Sequence, residues 1–169
     1  RMSAVGGIIG SQRGEDTMGD ESAAGRGGGK EKVGGVVGRN EGNITDSSAS
    51  GSVTATGGFG SAGGLVGSNN GNLTDSSASG SVSAEDNAGG LVGNTFDGTI
   101  QNATASGSVN GSEDAGGLVG NNGGNITDSS ASGSVSATGE SGSAGGLVGT
   151  NRGNLTDASA SGRVSAEDN

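Results

Sequence analysis

Ala62-Gly-Gly-Leu-Val-Gly-Ser-Asn-Asn-Gly-Asn-Leu-Thr-Asp-Ser-Ser-Ala-Ser-Gly-Ser-Val-Ser-Ala-Glu-Asp-Asn87 decides the fold, because the chain writes it again and again. Its opening phrase Ala-Gly-Gly-Leu-Val-Gly recurs at Ala88, Ala115 and Ala144, and as Val33-Gly-Gly-Val-Val-Gly before it. A degenerate copy, Val5-Gly-Gly-Ile-Ile-Gly, comes first. The starts at 5, 33, 62, 88, 115 and 144 are 28, 29, 26, 27 and 29 residues apart. A period of this size marks a stacked-repeat architecture.

Within one repeat nothing points to a helix, since Gly, Ser, Thr and Asn are poor helix-interior residues and no 3.6-residue stripe appears. Ala62-Gly-Gly-Leu-Val-Gly reads as a short apolar strand, and Ser68-Asn-Asn-Gly71 as a turn. From Asn72 to Ala84 small polar and apolar residues alternate, as in two short strands broken at Gly80. Glu85-Asp-Asn87 closes the coil with turn residues. The expected fold is all-β: a β-solenoid (β-helix) of about six coils of 26–29 residues with three short strands per coil. One coil offers four large aliphatic side chains, Leu65, Val66, Leu73 and Val82, too few to order it alone. Stability must come from stacking, and the spread in coil length should sit in the turns Thr56–Ser61, Glu85–Asn87 and Ala137–Ser143.

Residues 1–32 form an irregular N-terminal coil with a basic Gly-rich insertion at Arg26-Gly-Gly-Gly-Lys-Glu-Lys32. The regular repeats are 33–61, 62–87, 88–114, 115–143 and 144–169. The chain begins at Arg1 and stops where another Ala-Gly-Gly-Leu-Val-Gly falls due, so truncation or end-to-end assembly is expected.

Composition removes most chemistry. The 169 residues include 41 Gly and no Pro, Cys, His, Trp or Tyr; Phe59 and Phe96 are the only aromatics. Without Cys there is no disulfide, thiolate ligand or thiol nucleophile, and without His the commonest general base and metal ligand are gone. No apolar run spans a bilayer, so direct membrane insertion is not expected. Residues 40–169 hold thirteen acids against Arg152 and Arg163, which repels nucleic acid and suits either very salty water or an ordinary acidic secreted protein.

The compound pattern Gly-Gly-Leu-Val-Gly, Asn-x-Gly-x-Leu, Asp-Ser-Ser-Ala-Ser-Gly-Ser-Val resembles the GLUG-motif repeat across residues 33–169, and more weakly across 5–32. The resemblance implies a β-helical module of secreted and surface proteins, including adhesins and immunoglobulin A-cleaving metallopeptidases in which the repeats are accessory. Two slots depart from the family. Its Tyr is Ser48, Ser77, Thr104, Ser130 or Ser159, and its preceding Asn is Asp46, Asp75, Asp128 or Asp157, kept only as Asn102. Losing the aromatic row removes packing area and a handle for sugars.

The most regular functional candidates are glycosylation sequons. Asn43, Asn72, Asn125 and Asn154 share one slot as Asn-Ile/Leu-Thr; Asn102-Ala-Thr and Asn110-Gly-Ser fall elsewhere. An inward Ile or Leu would turn Asn and Thr outward within reach of a glycosyltransferase, or let the Asn side chains form a hydrogen-bonded ladder. The acidic turns Glu85-Asp86-Asn87, Glu113-Asp114 and Glu167-Asp168 match no calcium-loop spacing and read as solvated. Gly25-Arg-Gly-Gly-Gly-Lys30 lacks both the strand and the Ser/Thr of a phosphate loop, Glu31 standing in its place. Neither catalytic residues nor a metal or cofactor are expected.

Function is therefore expected to be structural: an extracellular or cell-surface solenoid, stalk of an adhesin or subunit of a glycosylated filament. Its partners would be itself end to end, neighbouring domains of a longer chain, and N-linked glycans. Two alternatives remain open. One is an ice- or crystal-surface binder using outward rows of Asn72, Thr74 and Ser76; the other is an accessory segment of a large secreted hydrolase.

Overall fold

A computed structural model describes residues 4–12, 17–19 and 21–167. Every regular element among them is a β-strand, and the strands stack into five parallel sheets of six strands each. Six coils therefore wind a β-solenoid, with each coil's strands paired in register to those of the coils on either side. Each coil contributes five strands, not three. In the coil that starts at the second Ala-Gly-Gly-Leu-Val-Gly they are Ser61–Gly63, Val66–Asn69, Asn72–Thr74, Ser77–Ala78 and Val82–Ala84. They are called first to fifth below, and the sheets are named the same way.

One of the two extra strands comes from a bend. The phrase read as one apolar strand is in fact two, folded sharply back on each other. A Cβ at Gly63 would stand 1.9 Å from the Val66 carbonyl oxygen, and one at Gly67 would meet the backbone of Val33 at 2.6 Å. Between them, a Cβ at Gly64 would lie 2.2 Å from the Gly90 carbonyl oxygen and 2.8 Å from the Ala78 Cβ. The glycines are there because first and second strands meet backbone to backbone, with no room for side chains. Leu65, at the bend, carries the apolar contact instead and is fully buried.

This folding-back divides the interior. Leu65, Val66, Leu73 and Ala78, with their counterparts in the other coils, form one apolar column between the second, third and fourth sheets. Ala62, Val82 and Ala84 and their counterparts form a second column between the first and fifth sheets. The first sheet thus lies inside, against the fifth on one side and the second on the other.

The fourth strand arises from a left-handed residue. Asp46, Asp75, Asn102, Asp128 and Asp157 all have φ near +50°, a region Asp and Asn tolerate better than other side-chain-bearing residues. Each inserts one residue that belongs to neither face and so shifts the in/out alternation by one. Asn72 and Thr74 consequently face out, but Ser76 is buried, its Oγ donating to the Thr74 carbonyl oxygen at 2.8 Å. The expected outward row through Ser76 does not exist. The residues replacing the family's Tyr, among them Ser77 and Thr104, lie partly or fully exposed on the fourth sheet. An aromatic there would be a surface stripe rather than core packing.

The spread in coil length is confined to turns. Five residues join Ala55 to Ser61 and Ala137 to Ser143, whereas Ala84 is separated from Asn87 by only Glu85 and Asp86. One further residue enters the turn Phe96-Asp97-Gly98, where Gly98 adopts φ +95°. Residues of the N-terminal segment also form a coil: Ala4–Gly6, Ile9–Gln12, Thr17–Gly19, Ser22–Ala23 and Gly27–Gly29 pair with the coil above. The glycines of Arg26-Gly-Gly-Gly-Lys30 therefore lie in the fifth sheet and cradle no phosphate.

Candidate functional site: outward asparagine rows and their ladders

The sequon slot opens the third strand. Leu73 points into the apolar column while Asn72 and Thr74 face out, because strand residues alternate sides. Asn72, Asn125 and Asn154 are exposed and Asn43 is half-buried; Asn102 and Asn110 are exposed on other surfaces. Register stacks Asn43 on Asn72, then Thr99, then Asn125 on Asn154. Neighbouring amides bond: Asn72 Nδ2 donates to Asn43 Oδ1 at 3.0 Å, and Asn154 Nδ2 to Asn125 Oδ1 at 2.8 Å. Thr99 breaks the row, leaving two bonded pairs. The slot is thus both outward-facing and laddered.

A second ladder, not anticipated from the sequence, runs inside. Asn40, Asn69 and Asn122 are fully buried at the end of the second strand. Asn40 Nδ2 donates to Asn69 Oδ1 and Asn122 Nδ2 to Asn151 Oδ1, both at 2.8 Å. Each also caps its own turn, as Asn40 does by donating to the Gly42 carbonyl oxygen and accepting from the Gly42 N–H. The sequence signal was present: Asn two residues before Gly is the side-chain turn that satisfies a buried bend. In the coil 88–114 the slot is Thr95, whose buried Oγ1 has no hydrogen-bond partner. Inner serines form a third ladder: Ser76 Oγ accepts from the Ser47 N–H, and Ser129 Oγ from the Ala103 N–H.

The acidic turns between fifth and first strands stack as well. Burial, with Glu113 beside it and Asp114 near, raises the Asp86 carboxyl above its ordinary range to about 6. Asp114 is better served, accepting from Thr150 Oγ1 at 2.7 Å and Asn121 Nδ2 at 3.3 Å. At the basic end, burial and the nearby Arg39 lower the Lys32 pKa. Among the described residues no three His, Cys, Asp or Glu side chains converge as metal ligands.

In-register coils, backbone-packed glycine bends and stacked amide ladders define a parallel β-solenoid repeat protein. The GLUG motif matches residues 31–54, 86–110, 111–136 and 140–165, together more than half of the chain, and the chain belongs to that family. Each matched stretch spans one coil from its first to its fifth strand. The coil at 62–84 lies outside them yet pairs in register with both neighbours. Neither a curated protein nor a solved structure matches the chain.

Proposed function

We propose that this chain is an extracellular structural and interaction module, the stalk of a surface adhesin or the subunit of a surface filament, N-glycosylated along its third sheet. The observation that carries this reading is the repeated outward Asn-x-Thr slot on a coil that stacks in register on its own copies. Such a rod presents the outward asparagines in two pairs, each at the coil spacing of roughly 4.8 Å, and functions as a surface rather than a pocket. Continuing coils or a second copy would add to the rod by the same ladders that join its present coils. Outward Asn43, Asn72, Asn125 and Asn154 on the third sheet are the acceptor sites.

Cryo-electron microscopy of native material at its growth salinity, with peptide mass spectrometry, tests both halves. Long rods or fibres with branched density beside Asn72 and Asn125, and hexose-bearing peptides at those positions, are the expected result. Bare peptides at every sequon would remove the glycan from the proposal. Compact particles without an extended rod would remove the stalk or filament.

A further inference from the structure

The outer face of the fifth sheet carries a pattern that the third-sheet sequons do not use; of the six sequon asparagines it holds Asn110 alone. Two outward rows run along it. One is Arg26, Ser52, Ser81, Ser108, Ser134 and Arg163; the other, set by strand register, is Gly28, Thr54, Ser83, Asn110, Ser136 and Ser165. The chain has a net charge of −10, yet neither row contains a carboxylate, and a guanidinium closes the first row at each end. Both arginines are exposed, and the only salt bridge among the described residues, Arg39–Glu41, involves neither.

The face is also hollowed at both ends. An open groove of about 650 Å³ is lined by Ser108, Asn110, Ser134, Ser136, Arg163 and Ser165 with the valines beneath them. Another, of about 550 Å³, is lined by Arg26, Gly27, Gly28, Ser52 and Thr54. Gly28 opens the second groove, since a Cβ there would have nothing within 4 Å. Five coil steps separate the two arginines, on the order of 24 Å along the axis. Between them lie hydroxyls and one amide, groups that both donate and accept.

The ligand chemistry follows from sparse positive charge at the ends and dense hydroxyls between. Arginine pairs with carboxylates in a two-pronged fashion, and rows of Ser and Thr match the hydroxyls of a sugar polymer. A nucleic acid fits poorly, because no aromatic lines the grooves to stack a base. We propose that the outer face of the fifth sheet binds an extended uronate-bearing polysaccharide, laid along the solenoid axis with carboxylates on Arg26 and Arg163 and its hydroxyls on the serine rows.

The test is binding of the full chain to polygalacturonate and to its fully methyl-esterified form, by affinity electrophoresis and calorimetry at low ionic strength. Arg26→Ser and Arg163→Ser install the residue that the four interior coils carry in this row, so circular dichroism should show the fold unchanged. Wild type should bind polygalacturonate and bind the methyl ester much more weakly. Each single variant should lose affinity, and the double variant about tenfold or more. The proposal is overturned if polygalacturonate does not bind, if the double variant binds as well as wild type, or if the ester binds equally. Equal affinity for a single-stranded RNA of similar length would also overturn it, marking plain attraction of anions.

Discussion

At Asp75 the backbone takes φ +50°, and the four other coils with this slot place Asp or Asn there at nearly the same angle. That single left-handed residue explains why alternation along Asn72–Ala78 misled: continued strictly, it puts Ser76 outside, whereas the inserted residue turns it in. The conformation also predicts energetics. Asp75→Ala should destabilise by about 1 kcal/mol, Asp75→Gly by less, and Asp75→Asn hardly at all, read from urea midpoints. Equal losses for Ala and Gly would show that the side chain's bond from Asn102 Nδ2, at 3.0 Å, matters more than the backbone. Gly64 is held by sterics instead. Gly64→Ala should cost about 3 kcal/mol, because a Cβ 2.2 Å from the Gly90 carbonyl oxygen forces two coils apart. Gly58→Ala, with nothing within 4 Å, should stay within about 0.5 kcal/mol.

Strands of two to four residues are too short for periodicity to delimit, which is why the solenoid was legible and its five strands per coil were not. Repetition alone requires in-register stacking, whatever the cross-section. The folding-back at Gly63–Gly67 had no separate signal, since glycine serves a bend and a close backbone contact equally well. The sequon slot was legible because Leu73 between Asn72 and Thr74 fixes their faces. The buried Asn40–Asn69 ladder was hidden by the same Asn-x-Gly composition that marks an exposed turn. Between elements, the acidic turns make a prediction about pH. The folded chain holds a proton on Asp86 up to about pH 6, more tightly than an ordinary carboxyl near 3.8. The stabilisation this represents is complete below about pH 4 and is lost as pH rises through 6. Melting temperature should therefore climb as pH falls from 7 toward 5, and Asp86→Asn should flatten that rise. Glu113 and Asp114 are the acids that face Asp86. An unchanged profile in Asp86→Asn would mean that the stacked carboxylates do not interact in solution.

Across the whole molecule, stability is close to a sum of coils and the interfaces between them, and one coil interrupts the polar ladders that cross those interfaces. In 88–114 the buried asparagine becomes Thr95 with an orphaned hydroxyl, the sequon Asn becomes Thr99, and the inner serine becomes Ala103. The two asparagine ladders stop there and the serine ladder loses the hydroxyl this coil would offer, although the Ala103 N–H still donates to Ser129 Oγ; the turn beside Thr95 carries an extra residue. Excising residues 88–114 would join Asn87 to Ala115, two positions already equivalent by register to Asn87 and Ala88. It would set Asn69 against Asn122, Asn72 against Asn125 and Ser76 against Ser129, restoring each ladder. The shortened chain should fold as a five-coil solenoid and melt at or above the temperature of the full chain, despite burying less surface. Excising 62–87 instead keeps every defect and brings Thr95 against Asn40, so that chain should melt lower. Circular dichroism melts of the two deletions decide the matter. If both lose the same stability, buried apolar area per coil governs the rod and the amide and hydroxyl ladders contribute nothing measurable. If only the second is impaired, the polar ladders set which coils hold together.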